Sequence, residues 1–156
     1  MTENPQTPAV VLNRVRQLLD EGDPKKAIET LRRIGSDSPT MRNAYAVCLM
    51  RAGETEKAVA VYRRLLLPDG GVVLHDDAPA LHKTNFATAL LLANNLTGCI
   101  EILNDMRAEE NPSVRRLRNA IAQWARSVGW WRRLLVMRCD MRAKRPVVLD
   151  FAPGEI

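Results

Sequence analysis

Asn43, Asn85 and Asn119 each stand ten residues before a helix-breaking residue (Gly53, Asn95 and Gly129), and Asn13 stands nine before Gly22. Asn is a mediocre helix former, so its return at one height calls for a chemical reason. A carboxamide donates and accepts hydrogen bonds as a peptide unit does, and it carries no charge preference. A column of such groups can grip the main chain of an extended peptide, each net bond contributing on the order of 1 kcal/mol. The same amides can instead satisfy the backbone of a neighbouring helix or loop. The pattern leaves both uses open.

Other reactive chemistry is sparse. His75 and His82 are the only histidines, and HDDAPALH sets them beside Asp76 and Asp77. Their spacing is not the i, i+4 pair that two metal ligands on one helix would use, so no metal site is expected. Pro68 to Gly71, PDGG, reads as a turn and lacks the Lys-Ser/Thr of a phosphate loop. Cys48, Cys99 and Cys139 are odd in number and widely spaced, and each falls in an apolar helical pattern. They read as reduced core residues. Neither a catalytic constellation nor a cofactor motif emerges, and a non-enzymatic chain is expected.

The net charge of +5 is concentrated near the end of the chain. Between 113 and 145, Arg115, Arg116, Arg118, Arg126, Arg132, Arg133, Arg138, Arg142, Lys144 and Arg145 face only Asp140, with Trp124, Trp130 and Trp131 interleaved. Such a surface suits an acidic protein partner, an anionic membrane or nucleic acid. It equally suits the closing face of a terminal repeat, where Arg stems cover apolar surface and keep their charge wet. Arg115, Arg116, Arg118, Arg126, Arg132 and Arg133 are the candidate basic surface.

These residues need elements to hold them. The breaks at Gly22, Gly53, Asn95 and Gly129 are 31, 42 and 34 residues apart, which is the period of a helical repeat with one insertion. Thr7-Pro8, Ser38-Pro39, Asp77-Ala78-Pro79 and Asn111-Pro112 are start signals, and Asp23-Pro24, Thr55 and Thr97 can open second helices. First helices are expected at about 8–21, 39–52, 79–94 and 112–128, and second helices at about 24–35, 55–67, 97–109 and 130–143. The fold is therefore all-α: four antiparallel hairpins from residue 8 to 145, after a disordered lead at 1–7. Residues 146–156, PVVLDFAPGEI, are extended rather than helical. They can fold back on the last hairpin, lie in the groove, or add to a partner's sheet. No apolar run approaches the roughly 18 residues of a membrane span and no export signal opens the sequence, so a cytoplasmic location is expected.

The unit NAYAVCLMRAGETEKAVAVYRRLL resembles the tetratricopeptide repeat family. Gly53, Ala58 and Tyr62 match its glycine, small residue and aromatic at the same spacing. Gly22, Ala27, Leu31 and Pro39 repeat the pattern, as do Asn95, Ile100 and Pro112; Gly129, Leu134 and Pro146 depart from it most. The resemblance implies a right-handed α-solenoid whose first helices line a concave groove. It also implies binding of peptides or partner domains without chemistry, through Asn13, Asn43, Asn85 and Asn119. The order W-RS-GWWRR before P-V-x-L-D-F-x-P-G-E is similar to small bacterial proteins of this kind. Pentatricopeptide RNA-binding repeats also place Asn ten before Gly, but Ala44, Phe86 and Ala120 follow it here and cannot read a base edge.

The functional expectation is a protein or peptide adaptor. A chaperone of secreted proteins is one special form of it. A binder of anionic membrane or nucleic acid through 115–145 is the alternative from another class.

Overall fold

The computed structural model describes residues 7–35, 37–67, 74–75, 77–106, 111–128 and 146–156. Among these the chain forms seven helices: α1 (Pro8–Asp20), α2 (Pro24–Ile34), α3 (Pro39–Arg51), α4 (Thr55–Leu66), α5 (Ala80–Leu92), α6 (Leu96–Asp105) and α7 (Pro112–Ser127). The expected last helix at 130–143, which carries Trp130, Trp131, Arg132, Arg133 and Cys139, lies outside the described residues.

The helix starts have local causes. Proline occupies the first turn of α1, α2, α3 and α7, where its missing N–H costs nothing. The Asp23 side chain accepts from the Lys26 N–H at 3.1 Å and the Ser38 hydroxyl from the Met41 N–H at 3.3 Å. Asn111 Oδ1 accepts from the N–H groups of Ser113 and Val114 at 2.9 and 3.4 Å. Two caps differ from expectation. Thr55 is the first residue of α4, with Glu54 at the cap position. α6 starts at Leu96 because Asn95, not Thr97, caps it, its Oδ1 accepting from the Gly98 N–H at 2.9 Å.

The three hairpin turns are copies of one form. The N–H groups of Gly22, Gly53 and Asn94 donate to the carbonyls of Leu19, Met50 and Leu91, and those of Asp23, Glu54 and Asn95 donate to Leu18, Leu49 and Leu90. Gly22, Gly53 and Asn94 have φ of 77°, 80° and 60°, the left-handed region that Gly and Asn enter at least cost. The third turn residue is thus Asn94 rather than Asn95. That corrects the asparagine count. Asn85 stands nine residues before its turn residue, as Asn13 does, and Asn43 alone among these three stands ten before.

Helices α1 to α6 pack each on the next, and α1, α3, α5 and α7 also touch along their own row. This is the arrangement of a tetratricopeptide-like helical solenoid. A helix held on both sides within a row needs apolar residues nearly all round. Accordingly, α3 buries Asn43, Ala44 and everything from Ala46 to Met50, and α5 buries every residue from Thr84 to Leu91. Ala27 and Ala58 are wholly buried, small enough to let neighbouring helices approach. Tyr62 is also wholly buried, its ring 5.8 Å from that of Phe86 between centroids.

Residues 146–156 run extended across the row of first helices. Val147 is buried and Leu149, Phe151 and Pro153 are half-buried, while Pro146, Val148, Asp150 and Ala152 are exposed. This period of two is that of an extended chain with one face down. Val147 and Val148 show how sharp it is, at 6% and 82% exposure.

Candidate functional site

Four first helices converge on this extended segment. From α5, Asn85 Nδ2 donates to the Glu155 carbonyl at 2.8 Å, and Asn85 Oδ1 accepts from the Glu155 N–H at 3.0 Å. One carboxamide therefore satisfies both main-chain groups of one residue. From α3, Asn43 Nδ2 donates to the same carbonyl at 3.2 Å. Asn43 Oδ1 accepts from Asn85 Nδ2 and from the Tyr62 hydroxyl, both at 2.9 Å. These bonds fix the amide orientations, because only the nitrogens can donate. Burial lifts the Tyr62 hydroxyl above its ordinary range, so it stays a neutral donor.

One helical turn and then another along α3 from Asn43 lie Val47 and Arg51, on the same face. Arg51 donates to the carbonyls of Pro153 at 3.2 Å and Gly154 at 3.1 Å. Val47 and its neighbour Met50 floor the site beneath Gly154. A Cβ built on Gly154 would lie 2.6 Å from Met50 Cε and 2.9 Å from Val47 Cγ2, and its φ is 77°. Only glycine meets both conditions. From α7, Arg116 donates to Glu155 Oε1 at 2.7 Å and Ser113 Oγ to the same oxygen at 2.5 Å. The Arg116 guanidinium also lies 5.3 Å from the centre of the Phe151 ring, within cation–π range. From α1, Arg16 donates to the main-chain oxygen of Ile156 at 3.3 and 3.0 Å.

The four asparagines are not equivalent. Asn43 and Asn85 are buried at 1% and 2% exposure and meet each other. Asn13 is exposed and accepts from Arg16 at 3.0 Å, so it meets the segment through that guanidinium. Asn119 is exposed on α7. The basic residues divide as well. Arg116 holds Glu155, and Arg118 donates to the Leu103 carbonyl at 3.0 Å. Arg115 and Arg126 are exposed, and Arg132 and Arg133 lie outside the described residues. Trp124 is buried, in line with a core role.

Sequence reasoning missed Arg16, Arg51, Ser113, Tyr62 and Gly154 as parts of this site. Steps of four from Asn43 reach Val47 and Arg51, a signal present in the sequence. No comparable signal marks Gly154, whose need for glycine comes from a helix more than a hundred residues away.

Residues 18–72 match the family model of the tetratricopeptide repeat. That stretch carries the tetratricopeptide repeat signature. No curated protein and no solved structure matches it. The matched tetratricopeptide segment contains α2, α3 and α4, and with them Asn43, Arg51 and Tyr62 of the site. Its small residue Ala58 and aromatic Tyr62 are both inside; the Tyr62 ring fills the core while its hydroxyl reaches the first helix of the same hairpin.

The thiols of Cys48 and Cys99 are pushed up to about 12 by burial, so neither forms a thiolate. Burial holds the His82 imidazole below its ordinary range, while His75 is exposed. Among the described residues no helix is long and apolar enough to cross a membrane.

Proposed function

We propose that the chain is a non-catalytic protein-interaction module. Its row of first helices takes an extended peptide segment from a partner, gripping the main chain with Asn85, Asn43 and Arg51. One observation carries the reading: the Asn85 carboxamide bonds both main-chain groups of Glu155, at 2.8 and 3.0 Å. Main-chain recognition by an uncharged amide works on any extended segment, and tetratricopeptide repeats generally mediate protein–protein contacts. The test is a display library of extended peptides selected against the full chain. Binders should shift the side-chain amide NMR signals of Asn43 and Asn85. Binders that leave both signals in place, or a library that yields none, would refute this reading.

Of the basic-surface candidates, Arg116, itself exposed, and Arg118 are engaged within the chain, Arg115 and Arg126 are exposed, and Arg132 and Arg133 lie outside the described residues.

A further inference from the structure

The segment seated on the first helices is the chain's own, and it displays what the surface accepts. We propose that the surface selects a partner segment of the form aromatic–X–Pro–Gly–acidic–apolar, and that residues 151–156 occupy the site as a tethered competitor that the partner must displace. This rests on the peptide-binding reading above and deepens it.

Every position in that pattern except 152 has its own reader. The aromatic at 151 lies 5.3 Å from the Arg116 guanidinium. The outward residue at 152 is exposed, so its identity is free. At 153 and 154 the Arg51 guanidinium reads two successive carbonyls, and proline at 153 loses nothing because its carbonyl, not an N–H, is used. At 154 Met50 and Val47 crowd the position a Cβ would take, and the backbone turns left-handed. At 155 the main chain is clamped by Asn85 and the carboxylate meets Arg116 and Ser113. At 156 the residue is half-buried and Arg16 takes its main-chain oxygen. Side chain and main chain are thus read together, and the acidic position fits the local excess of arginine.

Among the described residues, the hydrogen bonds that join the segment to the helices all run through a side chain. A second peptide of the same sequence offers the same groups. The only advantage of the resident segment is its tether, which gives it an effective concentration of roughly millimolar order. A free peptide therefore binds the wild-type chain weakly and binds well once the resident segment is impaired.

The probe is a fluorescein-labelled synthetic peptide, PVVLDFAPGEI, titrated into the full chain by anisotropy. Gly154→Ala in the chain should raise the peptide's affinity about tenfold, from the left-handed penalty alone. Glu155→Lys in the chain should raise it severalfold; its side chain is half in solvent, so this variant keeps the fold if Gly154→Ala does not. Placing Gly154→Ala in the peptide instead should cost about tenfold or more. The proposal is overturned if neither chain variant tightens binding, or if the peptide binds equally well with alanine at 154. It is also overturned if sedimentation shows wild-type dimers that Glu155→Lys dissolves, since the natural occupant would then be a second copy. Library peptides that shift the Asn85 amide but lack the Pro–Gly–acidic core would sink this selectivity and leave the general groove reading standing. A failure of every peptide to shift that amide would sink both.

Discussion

Asn85 and Glu155 are joined as two peptide units in a sheet are joined, through a donor and an acceptor side by side, although one partner is a side chain on a helix. The geometry explains why a helix surface can hold an extended strand. A helix has no free main-chain groups along its flank, so a sheet-like contact has to come from carboxamides and guanidiniums. Asn85, Asn43 and Arg51 supply them.

Removing the carboxamide should therefore be costly. Asn85→Ala loses bonds to the Glu155 N–H, the Glu155 carbonyl and Asn43 Oδ1, for roughly 2–4 kcal/mol at about 1 kcal/mol per bond. Thermal unfolding measures the loss, and amide exchange at residues 154–156, above all at the Glu155 N–H that Asn85 accepts from, should accelerate. Exchange unchanged by the variant would contradict the pairing described.

The turn residues permit a sharper comparison. Gly53 has open space around its Cβ position, so Gly53→Ala is penalised only by its backbone, about 1–2 kcal/mol. Asn94 already tolerates the same conformation, and Asn94→Gly should change stability by less than half as much. Denaturant midpoints for the two variants decide this. Equal effects would mean that the turns are not equivalent.

His82 gives a pH dependence. Its folded-state pKa is lowered by burial, so on acidification the unfolded chain takes up a proton that the folded chain does not. Stability contributed by the neutral form is present above the unfolded value of about 6.5 and declines as pH falls below it. The melting temperature of the wild type should drop more between pH 7.5 and 5.5 than that of His82→Gln. Parallel curves would show that His82 does not titrate differently on folding.

Cysteine reactivity offers a test of burial. Cys48 and Cys99, with thiols lifted to about 12, should resist iodoacetamide at pH 8 in the folded state and react on unfolding. Performing this in a Cys139→Ser chain assigns the signal to these two. Fast labelling of the native chain would contradict the packing of α3 and α6.

Much of the fold was legible because its signals are local. Prolines and capping side chains mark where α1, α2, α3 and α7 begin, and left-handed residues mark the hairpin turns. The departures were also local. Asn94-Asn95 offers two residues of one type, and only the hydrogen bonds reveal that the first takes the left-handed turn and the second caps α6. The site was less legible. Asn43 and Asn85 stand out by type and spacing, but the meeting of Arg16, Arg51, Ser113 and Arg116 depends on where an extended segment crosses four helices. No short-range pattern encodes that crossing.

The same segment changes how the repeats depend on one another. In a plain solenoid each hairpin feels only its neighbours, and the ends can fray while the middle persists. Here Arg16 on α1 and Arg116 on α7 hold adjacent residues, Ile156 and Glu155. The first and last described helices thus share a common fastening, which opposes independent melting of either end. Loosening residues 153–156 would return the array to stepwise, hairpin-by-hairpin unfolding, so the occupancy of one short strand sets the cooperativity of the whole row.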